Sequence, residues 1–557
     1  MFENNKILVI IPAKEDSTNI PRKNSRILGE HPLVSYSINI ANSSKYVDDV
    51  VVSTDDDEIK FIAEKFGCHV IKQPVGLPTE EESLEAMIFR VVTEKEKFVL
   101  DEYNIVIIMG PSTPLLRFQT LDAAIEKFNS FDVDSVISVK DNNSLTWGYN
   151  EENNKFYPLY SKRENKKELP TVYEETGIIL ATRRPFISDY SFLGNNIDLI
   201  RIPRGENLNI EYFDDLWIAE KQIKRKRIAI KVDAYDEIGT DYIYRCILIA
   251  SKLINHDILF ILNKNHTLGI NILNKYNFPF VEHGNNKDLH KKIDEFSPDI
   301  IINDILNTSL EYIQTLKEKE YFVVNFEDLG EGSEIADLVF DDLYKHDASM
   351  ENVLRGESYF ILKEEYFFQN PKIINPDVNH VLVKLDGSNY DEVNEQVLEG
   401  LISSGFFKQI TVILGRDFQN KDKLKEKFKP YLNISIFSDV NNISDFILSA
   451  DLVITSPGKT IYEAGSLGVP SICLYKNEFE FVQTFANQTN GFIHIGVGPN
   501  LNEELIKVFT DVISDYELRS RMNRRMLSVD LKYGLENISY IIQSHYRTSI
   551  FKKKSTN

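Results

Sequence analysis

Short runs of Val and Ile recur along the chain, each followed by a stretch of helical period, and this alternation leaves little room for anything but parallel α/β architecture. KILVIIPA, DDVVVSTD and HVIKQP are separated by PLVSYSINIANS and DEIKFIAEKFG. Strands that are apolar at every position are buried on both faces, and the helices between them return the chain to the same edge of the sheet. NIVIIMG at 104–110, DSVISVK at 134–140 and TGIILAT at 176–182 extend the pattern. It closes with NIEYFDDLWIAEKQI and the basic stretch KRKR at 224–227, so a first domain is expected over 1–226. A second series runs through RIAIKVDA, DILFILN, DIIIND and YFVVNFED. A third follows an irregular passage around 350–378, through HVLVKLDG, QITVILG, DLVITS and SICLYK. They predict two further α/β lobes, 227–378 and 379–545, and a polar, frayed tail at 546–557. A chain of 557 residues exceeds what one hydrophobic core usually organises, in keeping with several domains.

Charge narrows the partners. With 63 basic and 85 acidic side chains the net charge is −22, a field that opposes nucleic acid and anionic membrane surfaces. A few placed lysines and backbone N–H groups can still hold a small anion. The three cysteines, Cys68, Cys246 and Cys473, are far apart and show neither disulfide nor zinc spacing. His31, His69, His283 and His290 show no ligand spacing either. The first apolar run is short and stopped by Pro12, unlike a secretory leader, and no apolar stretch is long enough to span a bilayer. A cytoplasmic protein without nucleic-acid or membrane partners is expected.

The loop IPAKEDSTNIPRKN at 11–24 follows a buried-strand pattern and carries Lys14, Lys23 and a Pro-fixed turn. Such a loop presents backbone donors and ammonium groups to phosphate at the carboxyl edge of an open α/β sheet. Its order resembles the opening of the sialic-acid-type cytidylyltransferases. VVSTDD at 51–56, GPSTPLLR at 110–117, ELPTVYEETG at 168–177 and LNIEYFDDL at 208–216 follow in that family's order, across nearly all of 1–226. The resemblance implies a nucleotidyltransferase (GT-A/Rossmann-like) domain that joins CTP to the anomeric hydroxyl of a nonulosonic keto-sugar acid, releases pyrophosphate and uses Mg2+. On the matched positions Lys14, Lys23 and Asp55 are catalytic, and Ser17, Asn24, Ser112 and Thr113 contact the nucleotide. Lys166 and Arg117 face the acidic sugar, Asn209 and Glu211 take the metal positions, and a homodimer is expected. The sequence departs from the family at Lys14 for Arg, Thr18 for Lys, Asn19 for Gly and Gly110 for Gln, while Asn209 and Glu211 replace two Asp. Magnesium prefers carboxylate oxygens in a tight octahedral shell, so that last exchange weakens its site. Asp215, close by, suits either compensation for it or a helix start.

The second half resembles another family. IKVDAYDEIGTDYIYRCILIA at 230–250 is similar to the start of the UDP-sugar hydrolase of pseudaminic acid biosynthesis, with Asp233, Gly239, Arg245 and Cys246 matched. Tyr242 stands at the position of that family's catalytic His, and a phenol with a pKa near ~10 is a poor base at neutral pH. DLVITSPGKTIYEAGSLGVPSICLYKNE at 451–478 resembles the nucleotide-binding lobe of the same hydrolase and of GT-B glycosyltransferases. There a strand runs into a Ser/Pro/Gly loop and a helix start, where free N–H groups suit a diphosphate. Thr460 and Glu463 stand one turn apart at that start, with Glu463 suited to ribose hydroxyls. GKT at 458–460 lacks the earlier Gly of a Walker loop, its place being taken by Val453. VLVKLDGSNYDEVN at 381–394 partly matches the hydrolase's second glycine-rich loop. The resemblance places Arg245, Ser388, Ser456, Thr460 and Glu463 on a UDP-sugar in a two-lobed GT-B-like domain. Two other readings stay open: a degenerate nucleotide-sugar-binding or regulatory protein, and a transferase acting on a different sugar.

Overall fold

The computed structural model describes residues 5–556 except 15–18, 74–82, 131, 143, 161, 164, 166–167, 169–170, 236–237, 343–349, 386–389, 416–417, 419, 439, 441 and 477–484. The chain divides into two compact units, Met1–Arg225 and Lys226–Asn557.

The first unit is built on a seven-stranded sheet ordered Ile197–Arg201, Ser135–Asn142, Val172–Arg183, Ile105–Met109, Ile7–Pro12, Asp49–Thr54 and His69–Lys72. Ile7–Pro12 lies between two parallel neighbours, with Ile10 opposite Val51 on one side and Ile108 on the other. Its apolar residues are fully buried because helices cover both faces, the reason the run shows no alternation. Val172–Arg183 runs antiparallel to both of its neighbours and shifts register between Glu175 and Leu180. Asp56 caps the helix Asp57–Lys65 by accepting from the Ile59 amide at 2.7 Å, which closes the strand-to-helix turn after Asp49–Thr54. A small hairpin, Trp147–Asn150 with Lys155–Pro158, stands outside the sheet with Trp147, Phe156 and Tyr157 exposed.

The second unit contains two parallel sheets, the two-lobed arrangement expected. The first is ordered Phe280–His283, Asp257–Asn263, Arg227–Val232, Ile300–Asp304, Phe322–Phe326, Leu338–Asp341 and Val353–Arg355. The second is ordered Ile434–Ser438, Gln409–Leu414, His380–Lys384, Leu452–Thr455, Ser471–Tyr475 and Phe492–Gly496. The last helix, Gly534–Thr556, leaves the second lobe and returns to the first. Ile538 and Ile542 are buried with Ile228, Ile230 and Phe260 in the first lobe's core. The Tyr546 hydroxyl donates to Asp299 at 2.8 Å, and Lys252 pairs with Glu536 at 2.6 Å. The expected tail at 546–557 is thus helical through Thr556 and anchored at Tyr546, because an apolar stripe upstream carries the helix onto a sheet some 300 residues earlier in the chain. Among the described residues no helix is long and apolar enough to cross a membrane.

Candidate functional site

In the first unit the carboxyl ends of Ile7–Pro12, Asp49–Thr54 and Ile105–Met109 come together, where open α/β sheets take their ligands. The Ala13 amide donates to the Ser53 carbonyl at 2.9 Å, so the loop after the first strand starts tied to its neighbour. Lys14 is exposed, and its carbonyl accepts from the Asn24 side chain at 3.0 Å. Asn24 is 6% exposed, and its Oδ1 is buried without a hydrogen-bond partner among the described residues. Arg22 enters the turn Lys23–Ser25 at φ 53°. Lys23 then reaches across to donate to the Ile210 carbonyl at 2.8 Å.

Ile210 links the two loops. Its amide donates to the Ser112 carbonyl at 3.0 Å, the Ser112 hydroxyl donates to Asn209 Oδ1 at 3.2 Å, and Asn209 Nδ2 donates to Glu211 at 3.1 Å. Lys23, Ser112, Asn209 and Glu211, named on separate motifs, therefore form one connected set. Thr113 is buried beside it, its hydroxyl donating to the Gly110 carbonyl at 3.1 Å. Burial pushes the Lys23 ammonium below the ordinary lysine range, while Glu211 and Asp215 pull it the other way. Asp55 sits half-buried at the end of Asp49–Thr54. Arg117 is exposed, but its backbone amide donates to Glu206 at 3.1 Å, and Thr120 donates to the same carboxylate at 2.6 Å. Glu206 thus fixes the start of Phe118–Glu126; nothing in its local sequence marks it, since its partners lie 86 and 89 residues away. Ser17 and Lys166 lie outside the described residues.

As metal donors Asn209 and Glu211 offer one amide oxygen and one exposed carboxylate, already hydrogen-bonded within the set. Asp215 accepts from the Glu211 and Tyr212 amides at 2.9 Å each, and so serves as the helix start of Phe213–Ile223. Among the described residues no group of three His, Cys, Asp or Glu side chains is placed to hold a metal ion. Among the described residues, Asn209 and Glu211 therefore do not by themselves form a cage for magnesium.

In the second unit Leu452–Thr455 feeds the helix Lys459–Leu467, and Ser456, Thr460 and Glu463 are all buried. Lys384, at the end of a neighbouring strand, donates to the Thr460 hydroxyl at 2.7 Å. Lys459 pairs with Asp241 of the first lobe at 3.1 Å. Burial would raise the Asp241 carboxyl, but Lys459, Lys363 and Lys384 hold it down to about 2. Tyr242 is half-buried, its ring facing the Arg245 guanidinium at 5.4 Å and the Lys459 ammonium at 5.8 Å. Arg245 is committed elsewhere than the sequence reading expects. Its guanidinium donates to both oxygens of Asp304, at 2.8 and 2.6 Å, and to Glu327. Burial acts against its charge, but the two carboxylates hold that charge firmly. Ser388 lies outside the described residues. Asp304 and Glu327 escape a sequence reading although each ends a Val/Ile-rich strand, the usual place for polar groups that face a ligand.

Residues 8–232 match the Cytidylyltransferase family. Over 275 residues the chain is 28% identical to an uncharacterized protein of Methanocaldococcus jannaschii, covering 46% of this chain and 56% of that protein. It is 24% identical over 241 residues to the N-acylneuraminate cytidylyltransferase of Escherichia coli, covering 42% and 55%. It is 26% identical over 234 residues to the CMP-N,N'-diacetyllegionaminic acid synthase of Legionella pneumophila, covering 40% and 99%. The chain spans about half the length of the first two relatives. Among solved structures, a CMP:2-keto-3-deoxy-manno-octonic acid synthetase complexed with CTP covers 39% of this chain and 98% of its own at 16% identity and a TM-score of 0.31. The Acinetobacter baumannii MurG covers 57% and 99% at 12% identity and a TM-score of 0.42. The N-terminal part of this chain thus carries a domain that matches the Cytidylyltransferase family, and Lys23, Ser112, Asn209 and Glu211 fall inside the matched range.

Proposed function

We propose that the first unit activates a nonulosonic, sialic-acid-like keto-sugar acid as its CMP form, for surface-glycan synthesis. The observation that carries this reading is the set joined through Ile210, which places an ammonium, a hydroxyl and a carboxylate at one strand edge. In the reaction the anomeric hydroxyl gives its proton to solvent as its oxygen attacks the α-phosphorus of CTP; a P–O bond forms, the bond from the α-phosphorus to the bridging oxygen breaks and pyrophosphate leaves with the charge. Lys14 and Lys23 offset the triphosphate's charge, Asn24 and Ser112 hold the nucleotide, and fixing both reactants removes most of the entropic cost of the encounter. Asn24 Oδ1, buried and unfilled, supports a nucleotide donor at that point. Magnesium, if bound with the triphosphate, would be held in part by Glu211 and Asn209 and would supply charge neutralisation. The protein is read as a cytoplasmic homodimer; the exposed Trp147, Phe156 and Tyr157 support a self-association surface.

The second unit is read as a UDP-sugar-binding module without the hydrolase's usual proton chemistry, supported by the buried Thr460 and Glu463 at a helix start and by a tyrosine at position 242. Pyrophosphate release decides the first reading. With N-acetylneuraminic, legionaminic, pseudaminic and eight-carbon keto-acids plus magnesium, CTP should be consumed in preference to ATP, GTP and UTP. Lys23→Ala should lower kcat/KM by roughly 100-fold or more, the scale of a charge lost at a transferring phosphoryl group. CTP binding without turnover across the panel would leave a binding or regulatory protein as the better reading.

A further inference from the structure

Three successive strand ends of the second unit's first sheet carry acids. Asp304 closes Ile300–Asp304, Glu327 follows Phe322–Phe326 and Asp342 follows Leu338–Asp341. Arg245 occupies both oxygens of Asp304 and reaches Glu327 as well. Asp342 lies beyond that guanidinium's bonds. Its carboxyl is hydrogen-bonded to Glu327, the residue is 8% exposed, and its Oδ1 is buried without a further partner among the described residues. Buried polar atoms are almost always satisfied, so an unfilled one calls for an explanation.

Asp342 faces a cavity of about 30 Å³ that also meets Asp241, Arg245, Lys363, Lys459 and Glu463. The two lobes thus supply opposite walls. Lys459 and Glu463 belong to the start of Lys459–Leu467, where phosphate oxygens are favoured, and Asp342 stands across from them on the first lobe.

We propose that the Glu327–Asp342 pair reads the sugar of a nucleotide-sugar bound in this cleft: the diphosphate lies against Lys459 and the helix start, and a sugar hydroxyl fills the open position of Asp342. The proposal rests on the reading of the second unit as a UDP-sugar binder. Burial and the neighbouring Glu327 push the Asp342 carboxyl well up, against the pull of Arg245 and Lys459, so the proton of the pair belongs to Asp342. Burial also works against the Glu327 charge, but Arg245 and Lys459 keep that carboxylate ionised. Asp342 spends that proton on Glu327, so its remaining oxygen offers the cavity an acceptor, to which a sugar hydroxyl can donate. Tyr462, whose hydroxyl donates to the Asp342 carbonyl, holds the backbone behind it. Arg245 acts as a positioning residue, fixing Glu327. The cavity has room for about one water, so a sugar enters only with the lobes apart.

Calorimetry on the full chain, with UDP and UDP-N-acetylglucosamine as probes, tests this. The intact protein should bind the sugar nucleotide more tightly than UDP. Asp342→Ala should erase that preference, weakening UDP-N-acetylglucosamine roughly tenfold with UDP unchanged, and Asp342→Asn should restore much of it. Lys459→Ala should weaken both probes alike. Asp342→Leu keeps the branched shape without a polar atom and should still lose the preference; it serves if the alanine variant does not fold. An unchanged preference in folded Asp342→Ala or Asp342→Leu protein, with UDP still bound, would overturn the proposal alone. Failure of the intact protein to bind either probe would remove the underlying reading and the proposal together.

Discussion

Lys23 shows how one side chain is pulled between stability and use. Burial lowers its pKa, so on the alkaline side it loses its proton before an exposed lysine does. In that window the unfolded chain holds the extra proton, so stability rises with pH while the charge needed for a triphosphate disappears. Activity should accordingly fall on the alkaline side at a lower pH than a free lysine would give. Lys23→Arg, which keeps its charge, should flatten that limb in a pH profile of kcat/KM for CTP, whatever it costs in absolute rate. An alkaline limb unchanged by Lys23→Arg would assign it to another group. Of the site around it, the residues were legible but the wiring was not. Lys23 and Ser112 stand out on loops after buried strands, yet the peptide groups that join them, a carbonyl for Lys23 and an amide for Ser112, belong to Ile210, an apolar residue whose side chain is packed in the core. The ion pairs of Arg245 were hidden for the same reason, its partners Asp304 and Glu327 being 59 and 82 residues distant.

At the scale of elements, the parallel strands could be read directly, because burial on both faces leaves only Val, Ile and their like at every position. The hairpin Trp147–Asn150 and Lys155–Pro158 could not be, since neither strand has a fully buried residue and no core imposes a period on it. The return of Gly534–Thr556 was equally hidden, its stripe of Ile538 and Ile542 matching any apolar face. Its docking leaves a sharp mark at Gly534. A Cβ there would lie 1.9 Å from the Phe360 carbonyl oxygen, a backbone atom that cannot swing aside. Gly534→Ala should therefore cost about 1–3 kcal/mol and lower the second unit's melting midpoint in a calorimetric scan, with CTP turnover untouched. A variant that melts like the parent would show that the helix can shift without loss.

Over the whole molecule, the boundary read from KRKR falls beside the division between Arg225 and Lys226, and each large hydrophobic cluster draws its residues from one side of it. Residues 1–225 expressed alone should keep a cooperative melt and CTP-dependent pyrophosphate release within a few-fold of the full chain; a molten product would show that the first unit borrows its stability. The returning helix has a further consequence on the ribosome. Arg227–Val232 opens the second unit, yet its covering residues Ile538 and Ile542 are made some 300 codons later. The first unit can close while synthesis continues, whereas the first lobe of the second must wait with apolar surface bare, the interval in which chaperones bind and neighbouring nascent chains aggregate. A frameshift near codon 533 would thus spoil the lobe that begins at residue 226 rather than the one being made when it strikes.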